Sequence, residues 1–381
     1  MNDSNKDTLI VIFHRNLSDT HRGQGVYLRR LIYLLNQYFN TYVIDPTGFH
    51  KFILSDERSN LDSSFFTDFK KTFLAFFRWL ITERRKKNSI VISEDLYISI
   101  FVVPICILFK IQIIYRSSDF GLEYRGNLFR QMGIKLKPLP FVMNLAETFI
   151  CKVSSRIIVP SSDVRNLMIK YGITGEKIDI YPHKSYKSVF PPEDIQRFKQ
   201  ENGLLNKTVI AFIGNMDYTP NLEAAYFVIK LAAKHVERLQ DSKVIYVIAG
   251  RKSYFLKNYS TDFLRVLGEI NDIGILLNAS DIGLNPSLVP GGASIKIIEY
   301  LVNGLLVVST REGSNGIIPN DRMIVCSREE FLERIKNLVE LIRNGSFKRD
   351  PVPAEITDYY STDKWGIEIA KKLQQLKQQK R

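Results

Sequence analysis

Cysteine is scarce in this sequence. The three present in 381 residues, Cys106, Cys151 and Cys326, are odd in number, far apart and set in apolar surroundings. That excludes a disulfide framework and a cysteine-based metal motif, and it suits a reducing compartment. Long apolar runs are missing as well. The longest, YISIFVVPICILF over 97–109, is broken by Pro104 and falls short of the ~20 residues a membrane-spanning helix needs. A buried or interfacial helix is expected there. The N-terminus, MNDSNKDT, is polar and runs straight into LIVIFH, so no secretory leader is expected. Zinc-ligand spacing, an RNP-like motif and a long basic arm are all lacking, which argues against a nucleic-acid partner. No internal repeat suggests a solenoid.

What the sequence does have is length and apolar residues for two cores. A chain of 381 residues suits two domains of roughly 150–200 residues each, and 45% of it is hydrophobic. Its net charge of +13 is unevenly spread: residues 1–192 carry 27 Lys+Arg against 17 Asp+Glu, leaving 26 against 23 for the remainder. The first half is therefore the one that faces an acidic partner. An anionic membrane surface fits best, because FFTDFKKTFLAFFRWLITERRKK over 65–87 joins Phe, Leu and Trp to a basic end. The alternative is that its aromatics are core and the basic end a solvated helix terminus.

Strand-like apolar runs alternate with helical patterns, the signature of parallel α/β units. In the first half the expected strands are 9–13, 41–45, 89–93, 112–116, 156–161 and 177–182. In the second they are 208–214, 243–250, 273–277, 281–287 and 305–310. The periodic pattern breaks at VFPPEDIQRFKQENGLLNK. We therefore expect one domain over 1–190, a second over 191–355, and a basic amphipathic C-terminal segment over 356–381 packing back on the first. Two such domains imply a cleft between them.

Ligands of such sheets sit at the loops after the strands, and four loops carry candidates. HRNLSDTHRGQGVYLRRL holds Gly23 and Gly25 ahead of a helix, a weak signal for phosphate or sugar. YRSSDFGLEYRGN holds Asp119 just past a strand that ends at Arg116, with Arg125 beyond. An acid there is placed to take a proton from a substrate hydroxyl, although Ser117, Ser118 and Asp119 also suit a turn or helix cap. FIGNMDYTPNLEAA holds Gly214, Asn215 and Met216, the last able to flank a base or simply to pack. PGGASIKIIEY over 290–300 places Gly292, Lys296, Glu299 and Asn303 at i, i+4, i+7 and i+11, one polar stripe. Glycines at a helix N-terminus with a lysine nearby make a phosphate seat; an ordinary solvated face with an ion pair is the other reading.

The order IGNMDYTPN, VIAGR, LLNASDIGLNPS and GGASIKIIEYLVNGLLVVST resembles the donor half of GT-B glycosyltransferases, family 4 in particular. IIVPSSDVRNLMIKYG and KIDIYPH are similar to the end of that fold's first domain, so the resemblance covers nearly all the chain. It implies two Rossmann-like domains facing a cleft. A UDP- or GDP-linked sugar is then the donor and a glycan or lipid-linked acceptor the partner, with neither metal nor cofactor. By the same resemblance the diphosphate rests on the backbone of Gly292, Ala293 and Ser294 with Lys296 as counter-charge, and Glu299 holds the ribose. Gly214, Asn215, Met216 and Arg251 complete the donor set, and Gly23, Gly25, Arg116 and Arg125 are expected on the acceptor side.

Two departures stand out. Family 4 retaining enzymes often carry a second glutamate eight positions before the one matched by Glu299, and Gly291 stands there. They also often place Arg and Lys where this chain has Asn215, Met216 and Asp217. YRSSD together with SIKIIEY is similar to the glucuronosyltransferases of xanthan-type exopolysaccharide assembly, which invert and use an aspartate base; this implies Asp119 as catalytic base. A catalytically silent subunit of the same fold remains open. A dinucleotide oxidoreductase would need a G-x-G-x-x-G after the first strand, which HRGQG does not supply.

Overall fold

The computed structural model describes residues 7–13, 23–51, 65–82, 89–131 and 138–378. The chain divides into two compact units. One comprises Met1–Gly126, Leu136–Pro182 and Asp363–Arg381, and the other Asn127–Lys135 and His183–Thr362. Residues 183–190 and 356–362 thus group with the second unit. Hydrogen bonds explain this: the Ser185 N–H donates to the Tyr360 carbonyl at 3.0 Å, and the Ser188 N–H donates to Asn303 Oδ1 at 2.9 Å.

From its N-terminal end the chain runs β1 (Thr8–Ile12), α1 (Gly23–Leu35), β2 (Asn40–Asp45), β3 (Gly48–Lys51), α2 (Phe65–Thr82), β4 (Ser89–Glu94), α3 (Leu96–Leu108), β5 (Gln112–Arg116), α4 (Leu122–Gln131), α5 (Pro138–Val153), β6 (Arg156–Val159), α6 (Ser162–Lys170) and β7 (Ile178–Ile180). The first sheet has the order β3-β2-β1-β4-β5-β6-β7 and is parallel except for the β2–β3 pair. Runs such as TLIVI are buried along their whole length because helices cover both faces of the sheet. Phe76 and Trp79 of α2, Val102 and Cys106 of α3, Ile150 of α5 and Met168 of α6 pack on one face. Leu28, Leu31 and Leu35 of α1 pack on the other.

The second unit contains α7 (Pro192–Glu201), β8 (Thr208–Ile213), α8 (Thr219–Leu239), β9 (Val244–Ala249), β10 (Leu264–Gly268), α9 (Ile273–Ala279), β11 (Ile282–Asn285), α10 (Ile295–Val302), β12 (Leu306–Ser309), β13 (Met323–Val325), α11 (Phe331–Arg343) and α12 (Ala354–Tyr360). Its sheet, β10-β9-β8-β11-β12-β13, is wholly parallel. The final helix, α13 (Lys364–Gln378), returns to the first unit, where Ile369, Ala370 and Leu373 join the core beside α1.

One expected strand is wrong. Residues 273–277 begin α9 instead, because Asp272 caps the helix by accepting the Gly274 N–H at 2.8 Å. The strand that fills the sheet edge is β10, LRVLG, whose side chains alternate between buried and half-buried.

Candidate functional site

The strand order of the second sheet reverses between β8 and β11, and a crevice opens at the carboxyl ends of strands at such a point. Four stretches converge there. After β8, the Gly214 N–H donates to the Ala249 carbonyl at 3.1 Å and the Met216 N–H to the Arg251 carbonyl at 3.0 Å. The ends of β8 and β9 approach so closely that a Cβ on Gly250, at φ +127°, would collide with the Gly214 carbonyl oxygen. This contact places Gly214, Asn215 and Arg251 side by side. After β11 comes the loop to α10, and after β12 a second glycine-bearing loop, TREGSNG over 310–316.

Asn285, the last residue of β11, ties the two loops together. Its Nδ2 donates to Ser294 Oγ at 3.1 Å and to the Gly313 carbonyl at 2.8 Å. Its Oδ1 is buried without a hydrogen-bond partner. Asn315 donates from Nδ2 to the Gly291 carbonyl. Helix α10 begins at Ile295, later than the stripe Gly292–Lys296–Glu299–Asn303 requires, so Gly292 lies in the loop, against Gly316. Asn303 is a further correction: it ends the helix, is 2% exposed, and spends its side chain on the Ser188 N–H and the Glu299 carbonyl. Gly292, Ala293 and Ser294 do lie at the N-terminal entry of α10. Ser294 stands at the N-cap with no side-chain cap bond to the first-turn amides, and those amides have no acceptor within the helix.

Lys296 and Glu299 are half-buried on the first two turns. Lys296 Nζ donates to Asn221 Oδ1 at 2.7 Å and stands 4.5 Å from the Phe212 ring centroid. Burial pulls its pKa down to about 7, opposed by the charge of Glu299. Asn221 is itself fixed, donating from Nδ2 to the Asn215 carbonyl at 3.0 Å. Asp217 lies 3.2 Å from Lys252 Nζ and 3.7 Å from Arg251 Nε. The β8 loop thus carries no cation of its own, and the nearest ones after β9, Arg251 and Lys252, stand beside its Asp217. A half-buried cation, a helix N-terminus and glycine-bearing backbone are the features from which anion sites are built, and all three meet here.

Met216 does not belong to that surface. It is 3% exposed and packs in the core with Phe212 and Ala224. Asn221, Asn285 and Lys252 escape a sequence reading, although the Gly-Ser-Asn-Gly run after β12 is a visible signal of a ligand-side loop.

At the carboxyl ends of the first sheet, Arg116 and Arg125 have internal partners in place of the acceptor expected from sequence. Arg116, 3% exposed, pairs with the fully buried Glu94, which also accepts from Ser118 Oγ at 3.4 Å. Arg125 of α4 pairs with Glu147 of α5, whose Oε1 accepts from Tyr115 at 2.5 Å and Ser117 at 2.9 Å. Burial raises the pKa of both carboxyls, against the pull of the two arginines. Asp119 is half-buried just beyond β5, its carbonyl 3.5 Å from Ser117 Oγ. Gly23 and Gly25 form the first turn of α1; the loop before them, 14–22, lies outside the described residues. Among the described residues no group of three His, Cys, Asp or Glu side chains is arranged to hold a metal ion.

Two Rossmann-like α/β units of this topology define a GT-B fold. Residues 207–341, spanning β8 to α11, match the family model described as Glycosyl transferases group 1. A protein of Escherichia coli, UDP-Gal:alpha-D-GlcNAc-diphosphoundecaprenol alpha-1,3-galactosyltransferase, is 29% identical over 202 residues, 49% of this chain and 51% of that one. The match thus spans about half the length of that curated relative. Among solved structures, Anabaena HepE in complex with UDP is similar at a TM-score of 0.70 and 12% identity, covering 97% of this chain and 100% of that one. Sucrose-phosphate synthase from Thermosynechococcus elongatus reaches 0.71 at 12% identity, covering 97% and 99%. At that identity the likeness is one of fold.

Proposed function

We propose that the protein is a glycosyltransferase that moves a sugar from a UDP- or GDP-linked donor to a hydroxyl of a lipid-linked surface polysaccharide intermediate. The observation that carries this reading is the anion seat at the β8–β11 crevice, which lies inside the stretch matching the group 1 model. The diphosphate rests on the backbone of Gly292 to Ser294, with Lys296, Arg251 and Lys252 as counter-charges; Gly214 and Asn215 line the approach, and Glu299 accepts from the ribose hydroxyls. The acceptor oxygen attacks the anomeric carbon as the bond to the diphosphate breaks, and the nucleoside diphosphate leaves. Cations and amide dipoles aimed at that leaving group stabilise the charge it gains.

The acceptor proton has two possible destinations. In an inverting reaction Asp119 takes it, a role supported by the resemblance of YRSSD and SIKIIEY to xanthan-type glucuronosyltransferases. In a retaining reaction the departing phosphate takes it. The alpha-1,3 linkage in the name of the E. coli relative favours retention, since UDP-galactose is itself an alpha-glycoside. The undecaprenol-linked substrate of that relative supports a lipid-linked acceptor here, and the excess of basic residues in 1–192 supports peripheral binding to an anionic, inner membrane face.

The test is a panel of UDP- and GDP-sugars scored by thermal stabilisation, where a ligand at 100 times its Kd adds ~2.7 kcal/mol. Nucleoside diphosphate release with a lipid-linked glycan acceptor is scored next. Stabilisation without release would reduce the protein to a catalytically silent subunit; neither would overturn the reading.

A further inference from the structure

We propose that the outer side of the α2–α3–α5 layer of the first unit is a docking surface for an anionic lipid bilayer. This rests on the membrane reading above and names the surface responsible. The three helices pack on the same sheet face, with α3 between α2 and α5. Phe69 and Phe73 of α2 meet Phe101 of α3 at centroid distances of 5.2 and 5.9 Å. Core burial accounts for Phe76 and Trp79, 0% and 2% exposed. It does not account for the side turned away from the sheet.

On α2 that side carries Leu74, Phe77 and Ile81, spaced i, i+3, i+7, with Ile81 64% exposed. An ordinary surface helix would place polar residues there. On α3, which has no charged residue at all, Leu108 is 76% exposed. On α5 the outward row includes Leu145 and Phe149, both 53% exposed. Three neighbouring helices thus share an apolar outer surface, whereas scattered single apolar residues would need no explanation.

The charge on this layer identifies its occupant. The only acidic residues of the three helices, Asp68 and Glu147, are buried. Lys70, Lys71, Arg78 and Lys152 are all exposed. Exposed apolar side chains and exposed cations, with no exposed acid on the same three helices, match the interfacial region of an anionic bilayer, where the apolar groups enter the acyl boundary and the cations meet headgroups. A second copy fits less well, because two such faces would oppose like charges with no carboxylate to answer them. No helix among the described residues is long and apolar enough to cross a membrane, so the contact is interfacial.

The experiment is co-sedimentation of the full chain with phosphatidylcholine vesicles and with vesicles containing about 30% phosphatidylglycerol. Wild type is expected to bind the anionic vesicles at least about tenfold better, with release as salt rises. Leu108→Glu combined with Phe149→Glu should abolish most of that binding. Phe77→Ser with Ile81→Ser, on a different helix, should weaken it too. The control Leu341→Glu, at an exposed apolar position of the second unit, should not. Both test pairs should keep the thermal midpoint and nucleotide-sugar affinity of wild type. Equal binding to both vesicles would defeat the anionic-membrane reading itself. Preference for anionic vesicles that survives both test pairs would overturn this surface alone. A dimer in sedimentation equilibrium that these substitutions dissociate would assign the face to a second copy and overturn the proposal.

Discussion

The depressed pKa of Lys296 gives donor binding a pH dependence that can be worked out in advance. With a value of about 7 in the empty protein, half of the lysines are neutral at pH 7 and all but about one in a hundred at pH 9. A bound diphosphate demands the charged form. Restoring the proton costs about 0.4 kcal/mol at pH 7 and about 2.7 kcal/mol at pH 9, so Kd should rise about fiftyfold between them. Titration calorimetry with a nucleotide sugar measures this cleanly, because its diphosphate diester does not titrate in that range. Proton uptake, read from buffers of different ionisation enthalpy, should climb from about half a proton per site at pH 7 to nearly one at pH 9. Lys296→Arg should bind with little dependence on pH, since guanidinium stays charged. Lys296→Met should bind weakly at every pH. Flat wild-type affinity from pH 7 to 9, or a slope that persists in Lys296→Met, would refute the reasoning. The same depressed value implies that the empty protein gains stability as pH rises from about 7 towards 10.5, because over that window the unfolded lysine holds a proton that the folded one has lost.

Glu299→Ala should weaken nucleoside diphosphate binding while leaving the fold intact, since the residue is only half-buried on α10; unchanged affinity by calorimetry would remove it from the ribose. If the reaction inverts, Asp119→Asn should lower turnover by about 10²–10⁴-fold with donor binding preserved, the usual contribution of a general base. A variant keeping more than about a tenth of wild-type turnover, or an NMR-assigned product that retains the donor's anomeric configuration, would leave Asp119 as a cap or substrate anchor. Glu147→Ala strands the Arg125 charge and the Tyr115 hydroxyl in the interior, for a loss of about 3–5 kcal/mol in urea unfolding. A loss below about 1 kcal/mol would show that water reaches the pair.

The parallel sheets were legible because strands such as TVIAFI and VIYVIA, covered on both faces, read as unbroken apolar runs. The misassigned IGILL shows the limit of that signal. A short apolar run does not distinguish strand from buried helix, and the deciding feature was the cap at Asp272. The edge strands β3 and β13, only four and three residues long, carry too little pattern to be seen. At the candidate site, Lys296 and Glu299 could be singled out from the pattern of their own helix, but Asn221, which holds Lys296, is 75 residues away. Arg125 looked available in sequence because its partner, 22 residues on, meets it only once α4 and α5 are folded. Pairings of that kind depend on tertiary placement, which local periodicity does not encode.

Tyr300 gives the anion seat an unusual footing. Strands β8 and β11 pair at only two positions, Ile210 with Ile282 and Ala211 with Gly283, before they part. In the gap the Tyr300 hydroxyl accepts the Ile213 N–H at 2.9 Å and donates to the Leu284 carbonyl at 3.4 Å. Its ring lies so close over Gly283 that a Cβ there would strike it. A phenol from α10 thus stands in for the missing rung of the sheet ladder. Helix α10, whose N-terminus would meet the donor on the proposed function, is keyed into the floor of the same crevice, and it cannot slide or tilt without breaking the two bonds of the Tyr300 hydroxyl to β8 and β11. On the proposed function, adaptation to a new donor would be channelled to the rim, through replacements in the loops after β8, β9 and β12, while the keyed helix stays fixed.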